Sequence, residues 1–397
     1  MSRPRISARA RALKPSETLA LSARARELRA RGEAVISFAA GEPDFDTPLH
    51  VQEAAIEAIR AGHHRYTAVS GVIELRAAIA KKLERDLGIA YGPGEIVVSN
   101  GAKHAIWNAL MALLEPGDEV LCPVPYWVSF PEMARLAGGV PVFVPPRPGT
   151  YKVGPEDLER ALTPRSRILI LNSPNNPSGA VYTRGELAAL GEIVRRADLF
   201  VLSDEIYESL VYGVAEHVSF ASLHPDHRAR TLVVGGVSKT WAMTGWRIGY
   251  VASSPDIAEA MDRIQGQSTS NAAAVSQQAA LRAITGDPAP ARAMRDRFEQ
   301  RRGLILGRFA RIPGARLVPP DGAFYVFPDL SERIRSAGNA AVSDSTSLCN
   351  YLIDEAKVVC VPGAAFGMEG HLRLSYATGE EQIAQGMDRI EQALARL

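Results

Sequence analysis

The chain has 397 residues, 46% of them hydrophobic and 22% charged, and its 45 basic and 44 acidic side chains leave a net charge of +1. That length predicts two or three domains, the composition excludes a disordered or fibrous chain, and the balanced charge gives no electrostatic footprint for nucleic acid or an anionic membrane. No apolar run reaches the ~18 residues needed to cross a bilayer. Cys122, Cys349 and Cys360 form no Cys-x-x-Cys pair, and the histidines lack ligand spacing, so no disulfide framework and no metal site are expected, and a cytoplasmic location is.

Arg3, Arg5, Arg9, Arg11 and Lys14 precede the first acid, Glu17. This stretch has the basic, acid-poor character of a transit peptide but no apolar core, and from Lys14 onward it reads as part of the folded protein. An alanine- and arginine-rich helix is expected over 16–31, as an arm packed on another domain or subunit. Short β-branched runs then alternate with helical spacing, the pattern of a parallel sheet flanked by helices in an α/β fold. Strands are expected at 96–99, 119–122, 140–144, 167–171, 199–203, 231–235 and 248–252. Between the first two lies a helix over 102–114, where Ala102, Ala105, Ile106, Ala109, Leu110 and Leu113 recur at three and four residues. After about residue 290 come a charged helix over 292–309 and strands near 315–318, 322–327, 358–361 and 371–376, which read as a smaller α+β domain.

Several of these strands run into polar loops. The first leads to Asn100-Gly101-Ala102-Lys103 and a helix start, where backbone N–H groups and the helix dipole suit a phosphate. The fourth leads to Asn172-Ser173-Pro174-Asn175-Asn176-Pro177-Ser178-Gly179, the fifth to Asp204 and Tyr207, and the sixth to Ser238-Lys239. Ligands of open α/β sheets bind beyond the carboxyl ends of the strands, so these loops should converge. Taken singly, each has a plainer reading: a tight turn at Gly101, turn chemistry at Asn175-Asn176-Pro177, a helix cap at Asp204, a packing ring at Tyr207, a solvated lysine at Lys239.

One cofactor needs all of them together. A lysine amine condenses with an aldehyde only when deprotonated, which a desolvated crevice favours. Pyridoxal phosphate is the aldehyde cofactor whose pyridine ring serves as an electron sink. A carboxylate such as Asp204 keeps the ring nitrogen protonated, Tyr207 and Asn176 can donate to the ring oxygen, Arg247 can clamp the phosphate with two parallel hydrogen bonds, and Trp127 can stack on the ring.

Taken with Gly41-Glu42-Pro43-Asp44-Phe45, Pro125-Tyr126-Trp127, Ser203-Asp204-Glu205-Ile206-Tyr207, Met243-Thr244-Gly245-Trp246-Arg247-Ile248-Gly249 and Arg373-Leu374-Ser375-Tyr376, these motifs span nearly the whole chain. In that order the sequence resembles the fold-type I, class I pyridoxal-phosphate aminotransferases, nearest to the bacterial aspartate aminotransferase subgroup. The resemblance implies a large cofactor domain over 48–288, with a mostly parallel seven-stranded sheet, and a small α+β domain over 289–397 joined by the arm of 1–47. It implies that Lys239 carries the cofactor and shuttles the substrate proton. Gly101, Ala102, Lys103, Ser238 and Arg247 would surround the phosphate, and Arg373, helped by Gly41 and Asn176, would grip the substrate α-carboxylate. It further implies a homodimer with shared sites, in which Tyr66 reaches the neighbouring subunit's phosphate. Gly236 departs from the serine that many relatives carry there, leaving Ser238, Lys103 and Arg247 to compensate.

The activity implied is ping-pong transfer of an amino group from aspartate or glutamate to a 2-oxo acid such as 2-oxoglutarate or oxaloacetate. Lys103, Ser16 and Thr18 would select the distal carboxylate, and Lys14 would admit prephenate. Prephenate, aromatic or alanine transamination, a lyase on the same fold, and an effector-binding domain without turnover are the alternatives. A nicotinamide dehydrogenase is disfavoured, because no Gly-x-Gly-x-x-Gly follows an early strand.

Overall fold

A computed structural model describes residues 6–13, 17–338 and 341–397. Its strands are β1 (Ile36–Ser37), β2 (Ile96–Asn100), β3 (Glu119–Pro123), β4 (Val140–Val144), β5 (Ser166–Asn172), β6 (Phe200–Asp204), β7 (Thr231–Gly236), β8 (Ile248–Ala252), β9 (Tyr325–Val326), β10 (Val358–Val359), β11 (Val361–Pro362) and β12 (Leu372–Ser375). Strands β2 to β8 form one seven-stranded sheet in the order β2-β8-β7-β6-β5-β3-β4. Only β8 runs antiparallel to its neighbours. The expected α/β fold with a mostly parallel sheet is therefore present.

Alternation along the strands explains why both faces are covered. Val97, Val120, Ile168, Leu202, Val234 and Val251 point to one face and pack with the helices Ala102–Leu113 and Pro255–Gly266. Val98, Val233 and Tyr250 point to the other, beneath Ile73–Leu87 and Ala274–Thr285. Leu121, Leu169 and Val201 share that face beneath Arg184–Arg196. All six residues of β7 are buried, as a central strand between helix layers requires.

A second core gathers the helices Ala289–Phe309, Ser345–Ala356 and Glu380–Ala395 around β9 and β12. The N-terminal stretch joins it, since β1 pairs in parallel with β10, Ile36 opposite Val358. The strand expected at 315–318 does not form. Only Arg316 makes an isolated bridge, to Asp329. Pro313-Gly314 and Pro319-Pro320 bracket the segment, and prolines supply no N–H to a ladder. The arm helix runs from Glu17 to Ala30.

Candidate active site

The polar ends of β5, β6 and β7 converge as expected. Asn172, Asp204, Ser238 and Lys239 line one cavity of about 890 Å³, together with Gly41, Asn176, Tyr207 and Arg373. The helix Ala102–Leu113 opens onto the same cavity at its N-terminal end through Ala102 and Lys103, where its dipole favours an anion. Gly249 makes that placement possible. A Cβ built there would lie 2.1 Å from the Ala102 nitrogen, so only glycine lets β8 pack under the helix start.

Lys239 and Asp204 form the electrostatic centre. The Lys239 amine donates to the Gly41 carbonyl at 2.5 Å and lies 5.8 Å from the Tyr207 ring centroid. Burial draws its pKa down to about 8, against the opposing pull of Glu42. Burial pushes the Asp204 carboxyl up to about 7, although the Ile206 N–H donates to its Oδ1 at 3.3 Å. Asp204 makes no ion pair among the described residues. Two groups lining one cavity thus approach a common pH from opposite ends, as the acid and base partners of catalytic sites commonly do.

A chain of amides leads from there to an arginine. Asn172 donates through Nδ2 to the Asp204 carbonyl at 3.1 Å, and its Oδ1 accepts the Asn176 N–H at 2.8 Å. The Asn176 Oδ1 accepts Arg373 Nη1 at 3.1 Å, and Arg373 Nη2 donates to the Ala39 carbonyl at 2.8 Å. The guanidinium lies 4.7 Å from the Tyr325 ring centroid, and its Nε has no partner. Arg373 is 2% exposed, and burial lowers its pKa, yet an arginine stays charged under such conditions. A buried fork with an unspent donor at a cavity wall is suited to a carboxylate.

At the far end, Gly101 has φ +83°, and a Cβ on it would stand 2.4 Å from Arg247 Nη2, so the glycine lets the guanidinium close on the loop. Arg247 itself has φ +56° and donates to the Thr244 carbonyl at 2.9 Å. Lys103 Nζ lies 4.8 Å from the Trp127 ring centroid, and burial followed by the charge of Arg247 lowers its pKa.

Among the expected site residues, Gly41, Ala102, Lys103, Trp127, Asn176, Asp204, Tyr207, Ser238, Lys239, Arg247 and Arg373 therefore line one cavity, with Gly101 shaping its loop. Tyr66 stands apart, 91% exposed and away from the cavity wall. Lys14, Ser16 and the side chain of Thr18 lie outside the described residues. Gly236 does not line the cavity. A Cβ there would meet Ile206 Cδ1 and the Ile248 carbonyl at 3.0 Å, so a serine would be crowded by its neighbours. The cavity wall also holds Tyr325, Arg26 and Arg29, which no sequence motif marked, while Asn172 and Glu42 come from loops the sequence did mark. Asn172 is the last residue of β5, at the loop expected to reach the site, whereas Tyr325 arrives through the pairing of β9 with β12.

Residues 33–390 match the family described as aminotransferase class I and II. The chain is 46% identical over 387 residues to the aspartate aminotransferase of Geobacillus stearothermophilus, covering 97% of this chain and 98% of that one. It is also 46% identical over 389 residues to the aspartate/prephenate aminotransferase of Cereibacter sphaeroides, covering 97% of each. The crystal structure of the aspartate aminotransferase from Rhizobium meliloti superposes with a TM-score of 0.94 at 40% identity, covering 99% of both chains. The Thermus thermophilus aspartate aminotransferase with maleate gives 0.93 at 41% identity, covering 98% of this chain and 100% of that one.

Aminotransferases of this kind use pyridoxal phosphate. The donor set here fits that group on three observations: a half-buried cavity lysine drawn down to about 8, a buried carboxylate without a salt bridge, and a cradle at Gly101 that any Cβ would fill.

Proposed function

The chain belongs to the class I and II aminotransferases, a pyridoxal-phosphate-dependent family, and from that premise we propose that it moves the amino group of aspartate or glutamate to a 2-oxo acid such as 2-oxoglutarate or oxaloacetate. One observation carries the choice of a dicarboxylic substrate. Among the described residues the cavity is lined by six basic side chains, Arg26, Arg29, Lys103, Lys239, Arg247 and Arg373, against two acids, Glu42 and Asp204. A phosphate brings about two negative charges and a substrate α-carboxylate one, so the surplus suits a second carboxylate. The related Thermus thermophilus structure holds maleate, a dicarboxylate.

In this reading Arg373 and Asn176 hold the α-carboxylate, and Lys103 meets the distal one, for which Ser16 and Thr18 are proposed as further selecting residues. Arg247, Ser238 and the helix start at Ala102 hold the phosphate. Pyridoxal phosphate, when bound, supplies an electron sink for the charge left on the substrate α-carbon. Lys239, whose amine is half deprotonated near pH 8, would carry the proton between the substrate α-carbon and the cofactor carbon. Asp204 would hold a negative charge against the ring nitrogen, and Tyr207 would donate its hydroxyl to the ring oxygen. Release of the first 2-oxo acid before the second binds makes the kinetics ping-pong.

The same proposal includes a large domain over 48–288, a small one over 289–397 with the arm of 1–47, and a cytoplasmic homodimer with Tyr66 reaching the partner's phosphate. Exposed Leu49, Ile56, Ile59, Tyr66 and Ile73 support an apolar contact surface on that side. Prephenate is a second acceptor to test, because relatives at 42–46% identity are named aspartate/prephenate aminotransferases. The experiment is a panel of amino donors against 2-oxoglutarate, oxaloacetate and prephenate. Highest kcat/KM for aspartate and glutamate is expected. A preference for alanine or aromatic donors would overturn the dicarboxylate assignment.

A further inference from the structure

Tyr325 is wholly buried and belongs to none of the motifs that led to the site, yet it meets three of the site's parts. Its hydroxyl stands 2.7 Å from that of Tyr207. Its ring lies under the Arg373 guanidinium, 4.7 Å from carbon to centroid. A Cβ on Gly41, whose carbonyl accepts Lys239, would be 3.4 Å from the Tyr325 hydroxyl. Backbone pairing fixes the arrangement: Ser375 of β12 stands opposite Tyr325 of β9, so the tyrosine and Arg373 are carried on adjacent antiparallel strands.

Resting on the functional reading above, we propose that Tyr325 is a positioning residue with two separable parts: its hydroxyl orients the Tyr207 hydroxyl, and its ring holds Arg373. Two hydroxyls in contact need one donor and one acceptor. If Tyr207 gives its proton to a cofactor oxygen, Tyr325 must donate to the Tyr207 oxygen, which makes Tyr207 the stronger donor. The ring contributes separately. A desolvated guanidinium over an aromatic face is held by the ring's quadrupole, and this keeps the Arg373 fork aimed while its Nε awaits a partner.

The test is a pH titration of the visible absorption band of the pyridoxal-phosphate-loaded protein, together with steady-state kinetics. Tyr325→Phe keeps the ring and loses the hydroxyl. The band's pH midpoint should rise by about half a unit, because a weaker Tyr207 donor stabilises the ring oxygen's anion less, while KM for aspartate stays within about twofold. In a Tyr207→Phe background the same substitution should shift nothing further, since its effect passes through that hydroxyl. Tyr325→Leu should add a rise of about five- to tenfold in KM for aspartate and for alanine alike. An unmoved midpoint in Tyr325→Phe, an undiminished shift in the Tyr207→Phe background, or a KM rise as large in Tyr325→Phe as in Tyr325→Leu would overturn the proposal. A wild-type protein with no visible band would instead overturn the functional reading on which it rests.

Discussion

Asp204 and Glu205 are neighbours in the chain, yet their carboxylates live under opposite rules. Successive residues of an extended strand face opposite sides, so Asp204 enters the cavity while Glu205 turns to Ser203, Ser219 and His217, accepting hydrogen bonds from both serines at 2.7 Å and meeting His217 Nε2 at 3.0 Å. On the same side Lys82 meets Glu208 at 2.5 Å, with side chains 10% and 8% exposed. Burial acts to lower the Lys82 pKa, but Glu208 and its neighbours outweigh it and the pKa is raised. Burial also dominates at Lys239 and Asp204, and there the pulls of Glu42 on the lysine and of Lys239 on the carboxyl do not outweigh it. The lesson is that burial alone does not mark a site. A buried charge supplied with a partner holds the fold, and one denied a partner is kept ready for a ligand.

The largest expected difference comes from the two lysines. Lys239→Ala should lower kcat by about four orders of magnitude or more, whereas Lys82→Met should change turnover per folded molecule little, as steady-state assays on refolding-competent protein would show. Next come the acids. Asp204→Asn should cost about 10²–10³ in kcat with little loss of stability, and Glu208→Gln should cost ~3–5 kcal/mol in urea unfolding with kcat preserved. Similar losses of kcat in both would dissolve the contrast. Within the cavity, Lys103→Ala should raise KM for aspartate about tenfold or more and leave KM for alanine or leucine within about twofold. Equal losses for all donors would make Lys103 a phosphate neighbour only.

The last contrast is a pH slope. Asp204 has a folded pKa of about 7 against an ordinary 3.8, so the folded chain keeps a proton that the unfolded chain has lost, and stability falls as pH rises through that window. Lys239 works in reverse: its folded value of about 8 lies below 10.5, the unfolded chain binds more protons there, and stability rises with pH across that range. In cofactor-free protein, the urea midpoint of Asp204→Asn should therefore gain on wild type between pH 3.8 and about 7 and stay level above it. A constant offset across that range would mean Asp204 is not held near neutrality.

How much of this was legible in the sequence follows from the range of the interactions. The seven sheet strands were readable because β-branched runs and the loops that end them are local signals, and the loops carried Asn176, Asp204 and Lys239 with them. The strand expected at 315–318 was not, because whether a short run pairs depends on prolines and partners beyond it. Tyr325 and the pairing of β1 with β10 were invisible for the same reason, since both join residues far apart in the chain. The contrast between Asp204 and Glu205 was equally hidden. Two adjacent acids read alike until the strand assigns each a face.

The central claim is that Lys239, the cavity lysine without a salt bridge, and not one of the ion-paired or exposed ones, carries the cofactor. Borohydride reduction of the pyridoxal-phosphate-loaded protein, followed by peptide mapping, tests it directly. One modified peptide containing Lys239 is the predicted result. Modification at Lys103 or Lys82 in its place, or no fixed cofactor at all, would contradict the account.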